Sequence, residues 1–329
     1  MKGPIVIGAI NWDTLLFVKR FPDAGEEAVV HQISEVPGGK AGNTAVAAAR
    51  LLGRDRAAIL GALGNDSIAA EQVRIFKQEG VIVAGLKHAK DRRSGQAYVV
   101  VDESGENKIY THFGSNATIT PEDLEDPVRR GLISQASVVT IMDPPLETAI
   151  KLAEMAKQFG IRVTFDPGVK SEMGLVGLQP ILRNTEFLVS NESEVRHLTG
   201  TEDSAKAAEI LRKDNPMLKV VTKLGARGSI EFGAEEEVYC EPLDLQALNL
   251  KVTSTVGCGD AFLGAFSAAL SEELSDLESL KWGSCAAGLK ATKPETRGSP
   301  NRETLMKYLD QVKIRQKPSS DARLLGEQH

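Results

Sequence analysis

The chain has too few cysteines for a covalent framework. Its three, Cys240, Cys258 and Cys285, are an odd number spread widely through 329 residues, and their spacing suggests neither a disulfide scaffold nor a zinc site. The five histidines, His31, His88, His112, His197 and His329, fall at no metal-ligating interval. No apolar run reaches the roughly 20 residues that cross a bilayer. The first residues enter a strand-like run without a signal-peptide pattern, so a cytoplasmic protein with no membrane partner is expected. A net charge of −6 gives no broad basic footprint for nucleic acid, while leaving room for a local anion pocket. There is no solenoid-type repeat, and low complexity is confined to the polar end beyond about Ile314, with residues 316–329 expected to form a disordered tail. Two phosphate-handling signatures are also missing: Gly-x-x-x-x-Gly-Lys-[Ser/Thr] and the protein-kinase catalytic loop.

What is present is a chain that is 42% hydrophobic, enough for a sizeable α/β core. Ile5 to Ile10 is a continuous apolar run, read as a central strand covered on both faces. It runs into Asn11-Trp12-Asp13, which places a carboxylate where open α/β sheets bind ligands; a plain turn residue is the alternative. Val29 to Val36 reads as a strand. The run Pro37-Gly38-Gly39-Lys40-Ala41-Gly42-Asn43-Thr44 then opens an alanine-rich helix ending at Gly53, capped by Asn43 or Thr44, whose small face implies close packing. Gly95 to Phe113 contains two β-rich runs around a polar turn at 102–107, a hairpin signal. Paired with Val29 to Val36, the hairpin would make a small lid that excludes water from a site near Asp13.

From Ser137 onward, strands alternate with helices, and polar residues follow the strands: Asp143-Pro144-Pro145, Asp166-Pro167-Gly168, Asn191-Glu192-Ser193-Glu194, and Lys223-Leu224-Gly225-Ala226-Arg227-Gly228. This order predicts a mainly parallel sheet with helices on both faces and a site along one edge. One α/β domain is expected over residues 1–315, its lid built from about 14–36 and 94–115.

The stretch Val252 to Phe262 reads as a strand end, a turn on Gly257 and Gly259, and the first turn of an apolar helix. Free N–H groups at such a helix start, from Gly257, Cys258 and Gly259 onward, suit an anion. Asp260 among them could take a hydroxyl proton while they stabilise a transferring phosphoryl group; a simple capping role is the alternative. Asn191 and Glu194 have capping-box spacing, and Glu194 could equally help hold Mg²⁺, directly or through water. Lys223 could contact a nucleotide phosphate or reach solvent. Arg92 and Arg93 are either a solvated pair or a fork for a phosphorylated sugar.

Gly38-Gly39-Lys40-Ala41-Gly42-Asn43 and Gly257-Cys258-Gly259-Asp260-Ala261-Phe262, in this order, with Asn191-x-x-Glu194 and the hairpin between them, resemble the ribokinase-type carbohydrate kinases of the PfkB family over residues 4–312. The resemblance implies a ribokinase-like fold and Mg²⁺-dependent phosphoryl transfer from ATP to a hydroxymethyl group of a ribose-like sugar. A nucleoside or a sugar phosphate is the alternative acceptor, and a non-catalytic ligand-binding protein the competing class. It also implies that Asp260 is the base and that Gly257, Cys258 and Gly259 form the anion hole. Asp13, Gly39, Lys40, Asn43 and Asp143 would contact the acceptor. Asn191, Lys223, Gly225 and Gly228 would border the nucleotide, with Glu194 toward the metal. A homodimer through the lid is expected. Ser254 stands where the family has an aspartate that helps hold a monovalent cation, which leaves potassium activation an open question.

Overall fold

The structure, a computed structural model, describes residues 2–318. Strand β1 (Pro4–Gly8) is wholly buried, as its unbroken apolar run requires. It is followed by β2 (Asn11–Val18), β3 (Val30–Gly38), helix α1 (Lys40–Leu52), β4 (Ala57–Leu63) and α2 (Ser67–Gln78). Next come the short strands β5 (Val81–Ile82) and β6 (Leu86–His88), then the hairpin β7 (Gly95–Val101) and β8 (Asn107–His112). Regular alternation runs through α3 (Pro127–Ser134), β9 (Val138–Met142), α4 (Leu146–Gln158), β10 (Arg162–Asp166), α5 (Gly174–Leu182), β11 (Phe187–Asn191), α6 (Glu192–Thr199), α7 (Ser204–Arg212) and β12 (Lys219–Lys223). The chain closes with β13 (Ser229–Phe232), β14 (Glu236–Cys240), α8 (Cys258–Ser271), α9 (Asp276–Ala291), α10 (Arg302–Tyr308) and β15 (Ile314–Pro318).

The large sheet runs β15-β14-β13-β12-β11-β10-β9-β1-β4-β5, with β6 also on β4. From β12 to β5 every pairing is parallel, while β13, β14 and β15 add an antiparallel edge. Apolar side chains on one face pack against α1, α2, α8, α9 and α10, and those on the other against α3 to α7. Because Met142 pairs with Asp166 and Asn191 with Lys223, the carboxyl ends of β9 to β12 finish nearly level. Their terminal polar residues therefore share one edge. No helix among the described residues is long and apolar enough to cross a membrane.

The separate lid sheet has the order β3-β2-β7-β8. Here the structure corrects the sequence reading: Asn11–Val18 is itself a strand, lying between Val30–Gly38 and the hairpin, so those two do not pair. Asp13 thus stands on a lid strand rather than in a turn. Helix α1 begins at Lys40 with Gly39 as its cap and no side-chain cap bond, so Asn43 and Thr44 lie inside its first turns instead of capping it. Residues 250–255 form no strand, and Val252 and Val256 are exposed, with no sheet partner to bury them. The hydrophobic pattern there marked a loop edge. Ile314–Pro318 pairs antiparallel with Glu236–Cys240, so residues 316–318 of the expected tail are ordered by backbone pairing; the rest of that tail lies outside the described residues.

Candidate active site

Close helix packing creates the centre of the site. Gly264 of α8 lies against α1 so closely that a Cβ there would stand 2.6 Å from that of Ala47, and the alanine face of α1 supplies no bulk to prevent it. This approach lets Asn43 reach across, and its Nδ2 donates to Asp260 Oδ2 at 2.8 Å. Thr44 Oγ1 donates to the Asp260 carbonyl at 3.3 Å. Loss of solvent raises the Asp260 carboxyl above its ordinary pKa, against the Asn43 hydrogen bond and the Lys40 charge, which favour the anion. The carboxyl is thereby moved toward the range of a general base.

The turn before Asp260 depends on Gly257, whose φ of 84° lies in the left-handed region. The Cys258 N–H turns back to the Thr255 carbonyl at 3.2 Å. Among the described residues, the N–H groups of Gly257, Gly259 and Asp260 have no such acceptor. They are the donors that the positive end of α8 offers an anion.

At the strand ends, Asp166 is a buried hub. Its Oδ2 accepts from Lys223 at 2.8 Å and its Oδ1 from Lys40 at 3.3 Å. Burial opposes ionisation of Asp166, but the two ammonium groups outweigh it and hold the carboxyl below its ordinary value. Lys40 Nζ also lies 3.8 Å from both Asp143 Oδ2 and Glu194 Oε1. Burial disfavours its charge, and the carboxylates of Asp166, Asp143, Glu194 and Asp260 more than compensate, raising its pKa. Asp143, with Lys170 Nζ at 3.6 Å, is raised chiefly by burial. Lys223 stands beside the anion-donor turn, 3.5 Å from where a Gly259 Cβ would lie.

Asn191 and Glu194 form a full capping box: Asn191 Oδ1 accepts from the Glu194 N–H, and Glu194 Oε2 from the Asn191 N–H, each at 2.9 Å. This structural role leaves Glu194 Oε1 facing Lys40. Burial raises the Glu194 carboxyl, with Asp166 adding to the effect. Among the described residues, no group of three His, Cys, Asp or Glu side chains is arranged to hold a metal ion. Mg²⁺ commonly binds through one or two carboxylates, retained waters and substrate phosphates, and Glu194 Oε1, which the capping box does not use and which lies 3.8 Å from Lys40 Nζ, fits that mode through water.

Where the small sheet meets the site, Asp13 packs against Gly38 so tightly that a Cβ there would fall 2.0 Å from Asp13 Oδ2. Its buried Oδ1 has no hydrogen-bond partner. Burial lifts the Asp13 pKa to about 6, with Arg297 opposing and Asp260 assisting the shift. Arg297, which the sequence reading missed, is 7% exposed. Its Nε donates to Asn43 Oδ1 at 3.0 Å, and its Nη2 to the Gly38 carbonyl at 2.9 Å and to Gln72 Oε1 at 3.1 Å. Asp166 was also missed as a site residue: like Asp143 it is legible as a polar residue at a strand end, but the resemblance that assigns Asp143 to the acceptor implies no role for Asp166. Gly39 adjoins the Asn11 backbone at the base of the lid. Asp13, Gly39, Lys40, Asn43, Asp143, Glu194, Lys223 and Asp260 thus converge. Asn191 stays exposed at its cap, and Gly225 and Gly228 form the turn after β12, with Gly228 against the Cys240 carbonyl.

Residues 1–303 match the model described as pfkB family carbohydrate kinase. The chain is similar to the bifunctional ribokinase/ribose-5-phosphate isomerase A of Fructilactobacillus sanfranciscensis, 29% identical over 318 residues that make up 94% of this chain and 57% of that protein. It is also 29% identical over 318 residues to a ribokinase of Haemophilus influenzae, covering 94% of this chain and 99% of that one. In three dimensions it is similar to Arabidopsis thaliana ribokinase complexed with ribose and ATP, with a TM-score of 0.78 and 25% identity over 93% of this chain and 98% of that one.

Proposed function

The chain belongs to the pfkB family of carbohydrate kinases, phosphotransferases that act on an alcohol group, and from that membership we propose that it transfers the terminal phosphoryl group of ATP to the hydroxymethyl group of a ribose-like sugar. The observation that carries the proposal is the Asp260 turn, where a carboxylate oriented by Asn43 lies within the same helix start as the unpartnered N–H groups of Gly257, Gly259 and Asp260. Base and anion donors are then one rigid unit. Similarity to a ribokinase complexed with ribose and ATP supports both the acceptor class and the donor.

In this mechanism, Asp13 Oδ1 and the Asn43 amide accept and orient sugar hydroxyls, and Gly38 and Gly39 allow the ring to approach the backbone. Asp143 and Lys40 line the far side. Asp260 takes the proton from the hydroxymethyl oxygen as that oxygen attacks phosphorus, and the helix-start N–H groups receive the charge on the transferring group. Lys223, beside the same turn, adds positive charge. Glu194 would hold hydrated Mg²⁺, which when bound offsets phosphate charge. Asn191, Gly225 and Gly228 border the nucleotide. The lid sheet excludes water, the competing acceptor, and joins two copies as a cytoplasmic homodimer; its exposed Ile33, Tyr98, Ile109 and Tyr110 support that reading.

A phosphorylated acceptor is the second reading, favoured by Arg92 and Arg93. They line a cavity of about 530 Å³ with Thr111, His112 and Phe113; their backbones are hydrogen-bonded, but neither guanidinium makes a hydrogen bond or ion pair among the described residues, and the Arg93 charge acts on Asp66. A panel of pentoses, hexoses, nucleosides and sugar phosphates with ATP separates the two. Turnover on free ribose-like sugars supports the first reading, turnover confined to sugar phosphates the second, and no transfer to any acceptor contradicts both.

A further inference from the structure

Lys290, in the last turn of α9, is fully buried and pairs with no carboxylate among the described residues. Its ammonium donates instead to two main-chain carbonyls, Ser254 O at 3.0 Å and Lys293 O at 3.2 Å. A buried charge with no bonded counter-ion is costly, and Glu295 and Asp260 act on this one only across a distance, so its presence requires a compensating arrangement. That arrangement is a meeting of two loops. The N–H groups of Thr253 and Ser254 both donate to the Ala291 carbonyl, at 2.8 and 3.1 Å. Thr253 Oγ1 donates to the Thr292 carbonyl at 3.3 Å. Gly257 is pressed against Thr296, whose carbonyl oxygen would stand 2.3 Å from a Cβ there. The ammonium sits where these loops present carbonyl oxygens, and the turn carrying the anion donors and Asp260 springs from the same place.

A cation held by backbone carbonyls is how proteins replace the hydration shell of a monovalent metal ion. The family resemblance implies such an ion, with an aspartate at position 254. The residues present here do not fit it. Ser254 is uncharged and its Oγ accepts from the Val256 N–H at 3.4 Å, while Lys290 Nζ already lies among the carbonyls. We propose that Lys290 is a built-in substitute for a monovalent cation: a positioning residue whose ammonium ties the 253–257 and 291–296 segments together and holds the anion donors in place, so that turnover requires no potassium. The proposal deepens the kinase reading and rests on it.

The test compares the wild-type protein with Lys290→Ala and Lys290→Met in KCl, NH₄Cl, NaCl and choline chloride at fixed ionic strength, following both phosphoryl transfer and the thermal midpoint. Wild-type turnover should differ by less than about twofold among the salts. Lys290→Ala, which empties the carbonyl cage, should fall at least about tenfold in choline and regain most of that loss in KCl or NH₄Cl. Its thermal midpoint should rise in the same two salts relative to choline, while the wild-type midpoint does not. Lys290→Met, which fills the space without charge, should lose activity in every salt. Severalfold potassium stimulation of the wild type, full activity of Lys290→Met, or a Lys290→Ala protein indifferent to the cation in both measurements would overturn the proposal. A wild type that phosphorylates no acceptor defeats the kinase reading instead, and the midpoint comparison then decides the role of Lys290 by itself.

Discussion

Asn43 and Asp260, 217 positions apart, are joined by a 2.8 Å hydrogen bond in which the amide Nδ2 donates to carboxylate Oδ2. The same Asn43 accepts from Arg297 Nε through its Oδ1, so the amide cannot rotate without losing one partner. Its orientation is fixed by this pairing, which links Arg297 to Asp260.

Replacing Asn43 with leucine removes a donor that favours the Asp260 anion. The Asp260 pKa should rise, and because a base acts deprotonated, the acidic limb of the kcat/KM profile should move to higher pH. Arg297 Nε would lose its acceptor as well, costing about 1–3 kcal/mol of stability. A pH–rate profile and thermal melt check both; a limb that stays in place shows that Asp260 is not the titrating base.

Asp13 titrates near 6 because burial raises it. If it receives sugar hydroxyls as the anion, as proposed, acceptor KM should climb as pH falls below about 6, while ATP KM should not follow. Asp13→Asn should flatten this dependence and weaken acceptor binding by about 10–100-fold, the loss of a charged hydrogen-bond acceptor. Measuring both KM values from about pH 5 to about pH 8, the range that brackets ordinary carboxylate and histidine titration, separates acceptor binding from nucleotide binding.

Gly257→Ala places a Cβ in the left-handed region and 2.3 Å from the Thr296 carbonyl. Backbone strain of about 1 kcal/mol or more follows, and the donor turn must shift. A fall in kcat of about 10²-fold with a folded protein by circular dichroism is expected; unchanged kcat would remove this turn from the reaction.

Glu231, on β13, offers a test of buried electrostatics through stability. Burial, with Asp276 and Glu236 adding to it, raises its pKa from 4.5 to about 8. Between those values the unfolded chain is ionised while the folded one keeps its proton, so this group's stabilisation is complete below the unfolded value and declines as pH rises to about 8. Glu231→Gln should therefore melt with a flatter pH dependence than the wild type across that window. Parallel curves for the two proteins would contradict the assignment.

The sequence carried the two glycine motifs, the parallel alternation and the hairpin, because each depends on local backbone chemistry: glycine at turns, apolar runs in covered strands, polar residues at strand ends. It misled where one residue type serves two purposes. Asn43 is a good helix cap by type, yet Gly39 takes that position and frees Asn43 to face Asp260. The β2 strand was hidden because Asp13 interrupts its apolar pattern for the sake of the site. Arg297 gave no signal at all, since a loop arginine acquires its role only when folding brings it to Asn43, Gly38 and Gln72. Lys290 carries no signal in the sequence, and only its burial against the Ser254 carbonyl distinguishes it.

In the proposed reaction, Asp260 removes the proton from a sugar hydroxyl as ATP transfers its phosphoryl group. The most direct test is the rate of phosphate transfer from ATP to D-ribose by the wild type and by Asp260→Asn, with ATP affinity measured by calorimetry on both. Transfer by the wild type, a loss of about 10²–10⁴-fold in kcat for the variant and nearly equal ATP affinity are the predicted results. Equal turnover by Asp260→Asn would contradict the account.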